Sequence, residues 1–144
     1  MKKDFKKWHA LKSEIDTHQR TLLYHEQEIW WCSLGANVGV ETDGKSDLFE
    51  RPVIIFRRFN EDMFWGLPMT SQSKIKKPFY SAITFHDHEQ IVILSQIRVL
   101  SSKRLIRRLG KLSDNQFAIL EKSFEEFLKQ TDPSRGPRVP NGNK

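Results

Sequence analysis

Cys32 is the one cysteine in the chain, so no disulfide within the chain is available to hold it together. At 144 residues it needs none: a domain of this size buries roughly 70% of the surface its unfolded form exposes. Long hydrophobic runs are also missing. The longest, such as Ile91 to Leu94, stop far short of the roughly 20 apolar residues of a membrane-spanning helix, so no membrane association is expected. The N-terminal stretch Met1-Lys2-Lys3-Asp4-Phe5-Lys6-Lys7 has neither an apolar signal core nor a small-residue cleavage site. Together with the single thiol, this leads to the expectation of a reducing cytoplasm. Metal-ligating patterns are sparse. His86 and His88 form an H-x-H with no third ligand placed by the sequence, which reads as a polar hairpin tip, and Cys32 sits among apolar strand residues as an inert thiol. There is no glycine-rich phosphate loop and no nucleophile elbow. No metal and no cofactor are expected.

Acid is the scarcer charge, with 18 Asp plus Glu against 24 Lys plus Arg and a formal net charge of +6. The excess points to anionic partners without separating nucleic acid from acidic protein. The basic residues cluster at Lys2, Lys3, Lys6 and Lys7, at Lys74, Lys76 and Lys77, and at Lys103, Arg104, Arg107, Arg108 and Lys111, the last group without an intervening acid. Any one cluster reads as a solvated face. Three of them in a chain with four tryptophans shift the balance towards a polyanion, because basic side chains hold phosphates while aromatic faces stack bases.

Phe5, Trp8, Leu11, Ile15 and Leu22 recur with helical spacing in a stretch free of Gly and Pro, and predict an amphipathic helix from about residue 4 to the low twenties. Glu28 to Leu34 then reads as an aromatic strand. Its adjacent Trp30 and Trp31 face opposite sides, which lets one anchor the core while the other meets a groove or an interface; core packing for both is the alternative. A loop from Gly35 to Arg51 follows, rich in turn formers and longer than ordinary connections. Further strands are predicted at Pro52 to Arg57, starting at its proline, and at Met63 to Met69, broken by Pro68. Tyr80 to Phe85 and Gln90 to Ser95 read as a hairpin around His86-Asp87-His88-Glu89. Arg98 to Leu100 continues the sheet, Ser101-Ser102 caps a short helical turn, and Leu105 to Leu112 is the final strand. Ser113-Asp114-Asn115-Gln116 is a capping box before a helix with the stripe Phe117, Leu120, Phe124, Phe127 and Leu128. The last fourteen residues, with three prolines and two glycines, read as disordered. The expected organisation is a helical extension over residues 1–27, a domain over 28–130 and a disordered tail over 131–144. The expected class is α+β, a small, strongly curved antiparallel sheet or barrel with a helix at each end of the chain.

Polar residues stand at the strand edges: Glu41, Arg51, Thr70, Ser71, Gln96 and Arg98. Each taken alone is ordinary, since charged residues at strand mouths are commonly just exposed. Their order carries more. Glu28-Ile29-Trp30-Trp31, Gly39-Val40-Glu41, Arg51-Pro52-Val53, Leu67-Pro68-Met69-Thr70-Ser71, Gln96-Ile97-Arg98 and Lys103-Arg104-Leu105 with Gly110-Lys111-Leu112-Ser113 follow one another through about residues 28 to 128. In this order they resemble the PemK/MazF family, the toxin half of bacterial type II toxin-antitoxin modules.

The resemblance implies an SH3-like β-barrel with helices attached, a homodimer, and metal-independent cleavage of single-stranded RNA. It also implies a cognate antitoxin whose C-terminal segment occupies the RNA groove. Carried over by position, Arg51 and Thr70 are the implied catalytic residues, with Ser71 beside Thr70, while Glu41, Gln96 and Arg98 match substrate-binding positions near the groove. One branch of the family uses a histidine where this chain has Val40 and an aspartate where it has Ser95, so the proton-transfer pair is not carried over. The chemistry agrees with the first two residues. Attack by the ribose 2'-hydroxyl passes through a dianionic phosphorane, which calls for a permanent cation able to give parallel hydrogen bonds; arginine suits this better than lysine. Threonine offers a hydroxyl donor but is a poor base. Arg51 itself or Glu41 is left as a candidate for proton transfer. A non-catalytic nucleic-acid-binding module and a gyrase inhibitor on the same barrel are the alternative readings.

Overall fold

In the computed structural model of the protein, which describes residues 2–19, 22–71 and 77–130, the first helix α1 spans Phe5–Asp16. The Asp4 carboxylate caps it by accepting the Lys7 backbone N–H at 3.0 Å. The helix ends earlier than its apolar spacing predicts. At Thr17 the hydroxyl turns back to the Glu14 carbonyl at 2.6 Å, offering the backbone a local alternative to another turn. Of the expected stripe, Trp8 is buried and Leu11 and Ile15 pack beside it against Ala36 and Phe49. Phe5 stays half exposed, and Leu22, beyond the helix, joins a different cluster. Lys74, Lys76 and the tail over 131–144 lie outside the described residues.

Seven strands follow: β1 Glu28–Ser33, β2 Glu50–Arg58, β3 Met63–Thr70, β4 Tyr80–Phe85, β5 His88–Ile93, β6 Arg98–Ser101 and β7 Leu105–Lys111. All pairings are antiparallel, in the order β4-β5-β3-β2-β1-β7, with β6 also on β3. Strand β3 forks. Met63 to Gly66 pair with β6, whereas Met69 and Thr70 pair with β5. Pro68 falls between these two ladders, where a missing N–H is tolerated, so the proline does not break the strand as expected. Strand β2 likewise begins before its proline, at Glu50, and its ladder with β3 starts at Val53 opposite Pro68. The β4–β5 hairpin is tighter than predicted. His86 and Asp87 alone make the turn, both with positive φ (50° and 61°), which is the twist a two-residue hairpin requires, and His88 and Glu89 belong to the strand. The sheet is curved, and no ladder joins β4 to β7 among the described residues; the protein is α+β, with the curved sheet open where a closed barrel would seal.

Helix α2, Asp114–Leu128, starts on half of the expected capping box. Ser113 accepts the Gln116 N–H at 3.2 Å, but the Gln116 side chain accepts from the Thr84 N–H at 3.0 Å and so ties the helix to β4. Phe117 and Leu120 are buried and Phe124 and Phe127 pack beside them on Ile29, Ile54, Phe56, Leu67 and Met69; Leu128, expected in the stripe, is exposed. The opposite sheet face carries Trp30, Cys32, Val53, Ile55, Phe64 and Leu100 around a fully buried Tyr24, whose hydroxyl lies 2.6 Å from the Asn60 carbonyl. Alternation along β1 and β2 thus sends Ile29 and Ile54 to one core, and Trp30 and Val53 to the other.

Candidate active site

Arg51 enters the sheet opposite Cys32 of β1, near the open end of β2, and Thr70 closes β3. Both line one cavity of about 290 Å3, together with Ser71, Trp31, Glu50 and Gln90. The guanidinium is anchored at two points: Nε donates to the Asp43 carbonyl at 2.8 Å, and Nη1 to the Met69 carbonyl at 3.3 Å, one residue before Thr70. Nη2 has no hydrogen-bond partner among the described residues. Burial lowers the Arg51 pKa from its ordinary value and the nearby Asp43 carboxylate works against that shift, while the guanidinium keeps its charge throughout the neutral range. A held cation with one nitrogen unengaged among the described residues, in a cavity that Thr70 also lines, is suited to an oxyanion such as a phosphodiester.

Trp30 and Trp31 divide as alternation allows. Trp30 is buried, its Nε1 donating to Glu28 at 3.1 Å. Trp31 is partly exposed and contributes to the Arg51 cavity. Its ring is backed by Arg107, its cross-strand partner in β7, with the guanidinium carbon 4.8 Å from the ring centroid. Arg107 in turn faces both Glu50 carboxylate oxygens at 3.4 Å.

The other three expected residues lie elsewhere. Glu41, Gln96 and Arg98 line a second cavity of about 460 Å3 with Asn37, Pro68 and Ser95. Gln96 holds the loop: its Oε1 accepts the Thr42 N–H at 3.1 Å and its Nε2 donates to the Val40 carbonyl at 3.3 Å. Glu41 accepts the Val38 N–H at 2.9 Å and does not line the Arg51 cavity. Val40 is almost fully exposed.

The basic clusters change meaning once register is known. Lys3 pairs with Asp43 at 2.9 Å and Lys7 with Asp47 at 2.6 Å. Arg108 donates to Glu28 at 3.0 Å, Arg107 faces Glu50, and Lys103 reaches the Asp16 carbonyl at 2.9 Å. Arg104 donates to the Ser33 carbonyl at 3.0 Å, and its pKa is lowered by burial and by Arg98. Much of what reads in sequence as free positive surface is engaged internally. Cys32 is fully buried and its thiol is pushed up to about 12 by desolvation, which fits an unreactive core residue. Glu50, Asp43 and Gln90 were not singled out by sequence. Glu50 neighbours Arg51 on a strand, and strict alternation would send it to the other face; Asp43 acts through its backbone carbonyl, which no side-chain pattern signals.

A curved antiparallel sheet bearing a cavity lined by Arg51 defines a small α+β protein with a candidate anion site. Comparison with known proteins sharpens this. The sequence model of the PemK-like, MazF-like toxins of type II toxin-antitoxin systems matches residues 25–128, and the chain belongs to that family. A search of curated proteins gave no match. Among solved structures, the chain is similar to MazF from Deinococcus radiodurans, with a TM-score of 0.59 and 18% identity, covering 76% of this chain and 99% of that one. It is also similar to an endoribonuclease in complex with its cognate antitoxin from a mycobacterial species, with a TM-score of 0.55 and 14% identity over 77% of this chain and 100% of that one. A MazE-MazF structure from Deinococcus radiodurans gives a TM-score of 0.53 at 16% identity, over 76% and 99% of the two chains. At these identities the likeness is one of fold.

Proposed function

We propose that this toxin is a metal-independent endoribonuclease that cuts single-stranded mRNA in the cytoplasm and thereby stops translation and growth. The observation that carries the reading is the shared cavity of Arg51 and Thr70, with Arg51 Nη2 unengaged among the described residues. In the reaction the ribose 2'-oxygen bonds to phosphorus and the bond to the 5'-oxygen breaks. The 2'-hydroxyl gives up its proton, the leaving oxygen gains one, and the products are a 2',3'-cyclic phosphate and a 5'-hydroxyl. Arg51 stabilises charge on the phosphorane oxygens, a role worth about 3 to 4 kcal/mol for one well-aimed donor. Thr70 holds the scissile group in line through its hydroxyl, with Ser71 beside it. Trp31, backed by Arg107, offers a face on which a neighbouring base stacks. Glu41, Gln96 and Arg98 contact or shape the path of the strand further along, from the second cavity.

Two further elements belong to the same reading. The sheet face that α2 covers at Leu67 and Met69 is bare at Met63 and Trp65, and Phe59 and Val99 extend this apolar surface beside β6; it supports pairing of two copies as a homodimer. A cognate antitoxin is the expected inhibitor, binding over the Arg51 cavity and excluding RNA. The testing experiment incubates purified protein with single-stranded RNA in excess chelator and analyses the new ends. Cyclic phosphate and 5'-hydroxyl termini, absent when the ribose at the cut is 2'-deoxy, are expected. Salt-sensitive binding that leaves RNA intact would make the protein a binding module instead, and intact RNA with trapped gyrase-DNA complexes would make it a gyrase inhibitor.

A further inference from the structure

Residues 2–16 precede the stretch that matches the toxin family, yet they are wired into the proposed catalytic centre. Lys3 Nζ donates to the carbonyls of Asn37 at 2.6 Å and Gly39 at 3.0 Å, and pairs with the Asp43 carboxylate at 2.9 Å. The other oxygen of that carboxylate accepts the Asn37 N–H at 2.6 Å, so Asp43 closes the loop on itself while Lys3 ties it to the helix. The Asp43 backbone carbonyl is the acceptor that holds Arg51 Nε. Lys7 reaches the far side of the loop at Asp47, 2.6 Å away. Beneath it the Trp8 indole packs on Phe49, at 5.5 Å between centroids, and fills the space over Gly35. A Cβ at Gly35 would come within 2.1 Å of that indole, and its φ of +87° also favours glycine.

We propose that the N-terminal segment is a positioning strap: Lys3 fixes Asp43, and Asp43 fixes the direction of the Arg51 guanidinium. Lys3 touches neither substrate nor the reacting atoms. It acts by narrowing the poses of a loop that would otherwise sample many, and the consequence falls on the one cation whose aim governs the chemical step. Misplacing a reacting group by about 1 Å costs on the order of a hundredfold in rate, so loosening its anchor is expected to cost about tenfold. The strap's effect on rate rests on the nuclease reading; its effect on Arg51 geometry does not.

The test uses full-length protein carrying Lys3→Ala, with Lys3→Arg as the conservative control and Lys7→Ala as a second loosening variant, each compared with wild type by thermal melting. Two readouts are taken. The Arg51 Nε–H resonance, assigned by its loss in Arg51→Lys, is followed by NMR hydrogen exchange; cleavage is resolved into kcat and KM. The expected result is faster exchange at Arg51 Nε in Lys3→Ala, a kcat lower by about tenfold with KM little changed, and recovery of both in Lys3→Arg. Unchanged exchange and unchanged kcat in folded Lys3→Ala and Lys7→Ala would overturn the strap. Faster exchange in a protein whose wild type leaves RNA intact would uphold the strap's geometry and overturn the nuclease.

Discussion

Arg51 and Gln96 stand in the two cavities that flank the loop after β1, and they are held in different ways. In the first, Arg51 is held at Nε and Nη1 while Nη2 has no partner among the described residues. In the second, both ends of the Gln96 amide are engaged with loop backbone and a Glu41 oxygen is tied to Val38. A group held in place with capacity left over acts on a ligand; a group whose capacity is used maintains shape. On the proposed reading Arg51 acts on the ligand from the first cavity, while Gln96 supports the loop that frames it.

The sharpest way to break that contrast is Arg51→Ala, which is expected to lower kcat for RNA cleavage by about 10² to 10³ with an unchanged fold by circular dichroism. Full activity in that variant would move the chemistry elsewhere. Next in size is Trp31→Ala. Loss of one stacked base costs roughly 1 to 3 kcal/mol, so binding of an uncleavable all-deoxy oligonucleotide, followed by anisotropy, is expected to weaken by about five- to 150-fold, with Trp31→Phe keeping most of the affinity. Gln96→Ala is expected to change kcat by less than about tenfold, since each of its loop hydrogen bonds contributes about 1 kcal/mol; a loss equal to that of Arg51→Ala would erase the distinction between the cavities.

The smallest effects concern buried titratable groups away from the chemistry. Burial alone would push the Glu28 carboxyl up, but hydrogen bonds from Trp30, the His25 backbone and Arg108 outweigh it and hold the pKa below its ordinary 4.5. A depressed carboxyl stabilises the fold above the unfolded value and loses that contribution as pH falls through the folded one. Urea melts below about pH 4.5 are expected to show a steeper acid loss in wild type than in Glu28→Gln. Cys32, at about 12, is expected to resist iodoacetamide at pH 8 until the protein is unfolded, as mass spectrometry would show.

The element order was legible because periodicity and turn residues are local. Strands β1, β4 and β7 and helix α2 fall where alternation, Gly35 and the Ser113 cap place them. What was not legible depends on partners distant in sequence. Pro68 reads as a break until β3 is seen to change neighbours there. Helix α1 stops at Asp16 because packing ends with Ile15, while Leu22 serves another core. The Arg107 and Arg108 pair, which no acid accompanies in sequence, finds Glu50 and Glu28 through the sheet. Among the site residues, Arg51, Thr70 and Ser71 are brought together, whereas Glu41, Gln96 and Arg98 form a separate group, a division set by the loop fold and by Asp43, whose anchoring atom belongs to the backbone.

The central claim is that Arg51 grips a non-bridging oxygen of the scissile phosphate. It is tested most directly by single-turnover cleavage of an RNA carrying one phosphorothioate at the cut site, with each diastereomer presented separately to wild type and to Arg51→Ala. Wild type is expected to cut one diastereomer markedly more slowly than the other, and Arg51→Ala, though slow, is expected no longer to distinguish them. The same discrimination in both proteins would contradict it.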